Sequence, residues 1–280
     1  MKQDEVGLRE RFRKDSLENN ICWLESFGSR IRRYDGLICV DHPRSTDYCA
    51  RLIVAPVGDT ISLLKTVLAE DARAGTDPWV YVDDEVLDAR LQLLLAANGL
   101  IRAGVNITKA GMWTPIEESK IGFRLEAAQL EDMDRWSACY SEGFARTGQE
   151  VAIDRSRWQL SFEGGRVQHW FLTRQGRTAG VCQTCTASGI VGVFSLTLLP
   201  AERGASGVRR AFRALRTRFT SHGSVRVYFE RRWNEYPRRH QRLSGRSRGF
   251  RIVRRMVGHR HSRDSAILAG SEKASSTQFS

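Results

Sequence analysis

Apolar positions along the chain fall into two spacings, and the alternation between them outlines the fold. Val6, Leu8, Phe12, Leu17, Ile21 and Leu24 recur at helical intervals over residues 5–27. Ile61, Leu63, Leu64, Val67 and Leu68 do the same between a capping Asp59 or Thr60 and Gly75. Residues 84–99 (DEVLDARLQLLLAANG) predict a third helix, stopped by Gly99. Strand-like runs lie around these helices at 34–42, 47–56, 77–84 and 100–113. A polar stretch opened by proline, TPIEESKI, then interrupts the pattern.

From Gly122 the pattern starts again. GFRLEAA predicts a strand, and QLEDMDRWSACYSEGFA a helix buried through Leu130, Met133, Trp136 and Tyr140. Residues 167–200 predict three strands with turns at Gln175-Gly176 and Ser188-Gly189. A loop and a helix follow, then strands in SVRVYFE and GFRIVRRMVG. Residues 79–107 and 225–257 can be laid side by side, Gly249-Phe250 against Gly99-Leu100, which reads as a weak internal duplication. The expected fold class is α/β (α+β), in two units at 1–116 and 122–257, joined by 117–121 and followed by a polar, disordered tail at 258–280.

Composition narrows the class of protein. A hydrophobic content of 41% with 27% charged residues is that of a soluble globular chain, and no run approaches the ~20 apolar residues of a membrane span. The charged N-terminus has no apolar centre of the kind a secretory signal needs. Six scattered cysteines read as reduced thiols, giving the expectation of a cytoplasmic protein. Cys182 and Cys185 form a CxxC without a second pair to complete a metal site, so they read as small strand residues and no metal is expected.

The net charge of +12 is unevenly placed. Residues 201–280 carry 20 Lys+Arg against 5 Asp+Glu, whereas residues 1–200 are slightly acidic. Residues 234–249 hold one aliphatic side chain, Leu243, where the matching helix of the first unit has an apolar face. Two readings of residues 204–248 stand side by side. One is a divergent basic unit; the other is text displaced from its frame in a GC-rich gene, where arginine-rich sequence is a common by-product.

The stretch TLLPAERGASGVRRAFRALRTRF, residues 197–219, holds the candidate chemistry. A strand ending at Pro200 runs into a loop with Arg203, Gly204 and Gly207, then into a helix with Val208, Ala211, Phe212, Leu215 and Phe219 on one face. A loop that opens a helix offers backbone N–H groups and the positive end of a helix dipole to an anion. Three meandering strands, a fourth-strand proline, Arg-Gly and a helix together resemble the GNAT superfamily of acyl-CoA-dependent N-acyltransferases over residues 122–257. Residues 20–116 resemble a degenerate second unit, as in tandem members, without the loop pattern and so without a cofactor.

The resemblance implies two GNAT-like units, each a mixed, mostly antiparallel sheet flanked by helices. It implies acetyl-CoA as acyl donor, with Leu196, Thr197 and Leu198 along its pantetheine arm and Arg203, Gly204, Ala205, Ser206, Gly207 and Val208 around its pyrophosphate. Asn234 resembles the asparagine that often follows the penultimate strand in the family. The pattern departs from the family at Ser206 and Val208, where small residues are wanted, and at Gly245, where a tyrosine commonly acts as general acid. Gly207 matches only with one residue added to the loop, which then sets Arg209 at a small-residue position.

Amine acylation needs a base, and Glu142, Glu150, Asp154 and His169 lie in segments that would flank an acceptor pocket. Trp158 and Trp170 belong either to that pocket or to the core. No Cys-His pair suggests an acyl-enzyme, so direct transfer to an amine of a small molecule or protein is expected, by a monomer or homodimer. Two other classes stay open, a catalytically inactive GNAT-like scaffold and a nucleic-acid binder acting through the C-terminal arginines.

Overall fold

The structure, a computed structural model, describes residues 2–42, 49–54, 58–76, 78–83, 87–116, 122–221, 223, 225–234 and 249–257. The tail at 258–280 and the arginine-rich 235–248, including Gly245, lie outside them. Helices are α1 (Lys2–Glu25), α2 (Gly58–Arg73), α3 (Ala89–Ala97), α4 (Met133–Phe144), α5 (Gln149–Gly164) and α6 (Ala205–Thr220). Strands in the first half are β1 (Arg30–Tyr34), β2 (Leu37–Asp41), β3 (Cys49–Ile53), β4 (Trp79–Asp83) and β5 (Ile101–Trp113). Those in the second are β6 (Arg124–Ala127), β7 (Val167–Arg174), β8 (Arg177–Ala187), β9 (Ile190–Leu198), β10 (Val225–Asn234) and β11 (Gly249–Val257).

Local chemistry accounts for the boundaries. Asp88 caps α3 by accepting the Leu91 N–H at 2.7 Å, and Gly99 leaves it at φ +72°, which a residue with a Cβ adopts at a cost. Both turns of the β7–β9 meander have two consecutive positive-φ residues, Gln175-Gly176 and Ser188-Gly189. That is the backbone that matches the right-handed twist of the strands they join.

The strands form one continuous sheet in the order β1-β2-β3-β4-β11-β5-β10-β9-β8-β7-β6. Two antiparallel meanders, β1–β3 and β6–β9, occupy its ends, and each leads through a helix to a parallel strand, β4 beside β3 and β10 beside β9. The centre is shared between the halves. β11 lies between β4 and β5, parallel to both, while β5 runs antiparallel to β10 along ten residue pairs.

Helices cover both faces. α2 and α3 bury Leu64, Val67, Leu68, Leu91 and Leu95 against Leu37, Val80 and Val82. α6 buries Leu215 beside Val191, Val193 and Val227, and Ala211 and Ala214 beside Leu172, Ala179 and Leu198. The opposite face is closed by α1, α4 and α5 around Trp136, Trp158 and Phe171.

Although it opens the chain, α1 is seated largely on the second half. Asn19 donates to the carbonyls of Cys185 and Ile190, both at 2.9 Å, and the Trp23 ring stacks on Phe194 at 4.5 Å. It also reaches the first half, where Arg13 pairs with Asp83 at 3.0 Å and Glu18 with Arg33 at 2.9 Å.

Candidate functional site

Among the described residues the sheet opens beside β9. β10 pairs with β9 only from Val227 to Phe229, against Val191 to Val193, although β10 continues to Asn234 in register with β5. Past Val193, β9 therefore keeps β8 on one side and, among the described residues, has no ladder on the other. Five residues, 194–198, leave an open edge of about 16 Å of polar backbone.

A bulge turns the strand aside at this point. Gln183 faces Phe194 and Val181 faces Thr197, so Ser195 and Leu196 together occupy one position of β8, and Ser195 stands at φ +51°. Serine carries no glycine-like signal, so the bulge was not visible in the sequence. The first half has no such gap among the described residues, because β4 is laddered on both sides, by β3 and β11.

The open edge leads to a helix start. The Leu199 N–H closes the ladder on Ala179 at 2.9 Å, a 3₁₀ turn spans Pro200–Glu202, and Gly204 at φ +116° brings the chain into α6. The first intrahelical bond runs from the Val208 N–H to the Gly204 carbonyl at 3.1 Å. The N–H groups of Ala205, Ser206 and Gly207 thus have no intrahelical acceptor and sit at the positive end of the dipole.

Helix α6 begins at Ala205, inside the stretch 203–208 expected as a loop. Gly207 is the position that must be glycine, since a Cβ there would overlap the Glu202 carbonyl oxygen. Ser206 and Val208, the expected departures, are exposed, as are Arg209 and Arg213 on the same helix.

One wall of the gap is the end of α4. A Cβ on Gly143 would lie 2.5 Å from both Oγ1 and Cγ2 of Thr197, so the Thr197 side chain packs directly on the backbone of the helix. A glycine inside a helical pattern was the available sequence signal for this contact. Arg203 donates through Nη2 to the Gly143 carbonyl at 2.7 Å and through Nε to the Leu198 carbonyl at 3.2 Å. Glu142 is the neighbour of Gly143 and is exposed, in the last turn before Ala145 ends α4 in the left-handed region.

The other candidate bases lie differently. Glu150 is in the first turn of α5, with its side chain outside the described set. Asp154 is buried between Arg157 at 3.4 Å and Arg146 at 3.6 Å, an ion cluster joining α5 to the end of α4. His169 lies inside the core, its ring stacked on Phe162 at 3.6 Å and its Nε2 2.8 Å from the Gln183 amide. Burial pushes its pKa down to about 3, so the ring is neutral.

Trp158 and Trp170 are core residues, and the Trp170 indole N–H donates to Thr184 at 2.9 Å. Cys182 and Cys185 face opposite sides of β8 as free thiols, both pKa values raised by burial. Asn234 ends β10, on the far side of the gap from β9, with its side chain outside the described set. Among the described residues no cluster of His, Cys, Asp and Glu is placed to hold a metal ion, and no helix is long and apolar enough to cross a membrane.

The mixed sheet thus splays beside a bulge, with a helix start at the mouth of the gap. No protein-family model matches the sequence, and comparison with curated proteins gives no match either. Solved structures do match. A GCN5-related N-acetyltransferase from Kribbella flavida aligns over 80% of this chain and 85% of its own at 13% identity, with a TM-score of 0.52. A conserved protein of unknown function from Staphylococcus epidermidis aligns over 78% and 90% at 8% identity, with a TM-score of 0.56. The chain has the fold of the GCN5-related N-acetyltransferases, and the first alignment is long enough to take in both halves of the sheet.

Proposed function

We propose that the chain is an acyl-CoA-dependent N-acyltransferase that moves an acetyl group from acetyl-CoA to an amine. The observation that carries this reading is the open edge of β9 running into the start of α6. An arm with alternating amide groups pairs with such an edge as a strand would, along Leu196, Thr197 and Leu198. A diphosphate suits the N–H groups of Ala205, Ser206 and Gly207, where the dipole favours negative charge. Acetyl-CoA would supply an acyl group already activated as a thioester.

The chain's own part is orientation and proton transfer. Backbone N–H groups at the bulge are the donors available to a thioester carbonyl. Glu142 is the proposed base, taking the proton of the attacking amine directly or through one water, since it adjoins the contact between α4 and Thr197. His169 has no part in this scheme, being buried and already bonded.

Calorimetry with acetyl-CoA is the direct test, followed by thiol release with a panel of small and peptidyl amines. Micromolar binding that added DNA leaves unchanged supports the reading, and absence of binding with salt-sensitive retention on DNA overturns it. One observation favours the inactive scaffold as second reading: Ser206, Val208 and Arg209 surround the helix start with exposed side chains. Binding without product from any amine would establish that alternative.

A further inference from the structure

The bond pattern around Arg203 separates it from the role of a phosphate ligand. Its Nε donates to the carbonyl of Leu198, the last residue of β9, and its Nη2 to the carbonyl of Gly143 in the last turn of α4. Carbonyls in the last turn of a helix have no intrahelical donor, and they carry the negative end of its dipole. A guanidinium placed there satisfies one of them with a charge-assisted bond. The strand it holds needs holding, because beyond Val193 β9 has lost its ladder on the side of β10. The Thr197 contact with Gly143 lies between the two tethered carbonyls, with Glu142 one residue away.

We propose that Arg203 is a positioning residue, which ties the open end of β9 to the end of α4 and so sets the width of the cleft. It acts on the ligand through the strand, and attraction for an anion is left to the α6 N–H groups and the exposed arginines of that helix. The part of the test that uses acetyl-CoA rests on the function proposed above; the other part does not.

Arg203→Met removes both donors at similar length, whereas Arg203→Gln keeps a donor and removes the charge. By calorimetry, Arg203→Met should weaken acetyl-CoA about tenfold, the scale of a lost charged hydrogen bond. Arg203→Gln should recover most of that, and the salt dependence of binding should be the same in all three proteins. Equal losses in both variants, with a flattened salt dependence, would mean direct phosphate contact and overturn the proposal.

Amide exchange read by mass spectrometry gives the second arm. Peptides covering 139–146 and 194–199 should exchange several-fold faster in Arg203→Met and return towards the wild-type rate in Arg203→Gln. Unchanged exchange in Arg203→Met would overturn the proposal even if acetyl-CoA proves not to bind, so the two failures remain distinguishable.

Discussion

Gly207 shows how one missing side chain fixes the site. It is buried against the Glu202 carbonyl, so the 3₁₀ turn and the first turn of α6 can close only on glycine. Gly207→Ala must push that turn outward, at about 1–3 kcal/mol by analogy with overpacked cores. A urea midpoint equal to that of the wild type would show that the close approach is not kept in solution. His169 gives a second measurement at this scale. Its folded pKa is depressed to about 3, so below the ordinary histidine range the unfolded chain binds a proton that the folded chain refuses. Stability contributed by the neutral ring is complete above about pH 6.5 and is lost as pH falls towards 3, at roughly 1.4 kcal/mol per unit. His169→Gln should flatten that part of the curve, and urea titrations at pH 7.5 and pH 5 would reveal it. An unchanged slope would mean that water reaches the ring.

Elements with a regular apolar spacing were legible in the sequence, and α5 and β1, which lack one, were not. The spacing of Trp136 and Tyr140 marks α4, and that of Ala211 and Leu215 marks α6. α5 went unread because it turns Asp154, Arg157 and Ser161 inward beside Trp158, which leaves no apolar period to find. β1 went unread for a related reason. Its Arg32 and Arg33 are matched by Asp41 and Glu18 at 2.9 Å, partners supplied by other elements. The strand ending at Pro200 was visible as a pattern, the loop expected at 203–208 is already helical from Ala205, and the bulge that opens the strand was not visible. Ser195 can be tested as an element-scale device, since a β-branched residue at positive φ costs about 1–2 kcal/mol more than glycine does. Ser195→Val should therefore lose stability and affinity for acetyl-CoA together, and Ser195→Gly should lose neither. If Ser195→Val behaves as wild type, β9 runs straight in solution and the cleft is not built by the bulge.

At the scale of the whole molecule, the halves exchange parts. β11 lies between β4 and β5, β10 leans on β5 along ten pairs, and α1 is seated on β8 and β9. The open side of the cleft is thus walled by a strand whose outer neighbour comes from the first half. The first half, which has no gap of its own among the described residues, holds β10 at a fixed distance from β9 through the β5 ladder. Cutting between the halves would strip β10 of its ladder and expose the apolar seat of α1 around Phe194 and Ile190. Residues 1–121 and 122–280 made separately should each aggregate, and produced together they should recover a soluble complex. The intact chain should melt in one calorimetric transition, with equal calorimetric and van't Hoff enthalpies. A folded, monomeric 122–280 fragment that binds acetyl-CoA as the full chain does would refute the shared sheet, because such a fragment has no β5 to keep β10 in place.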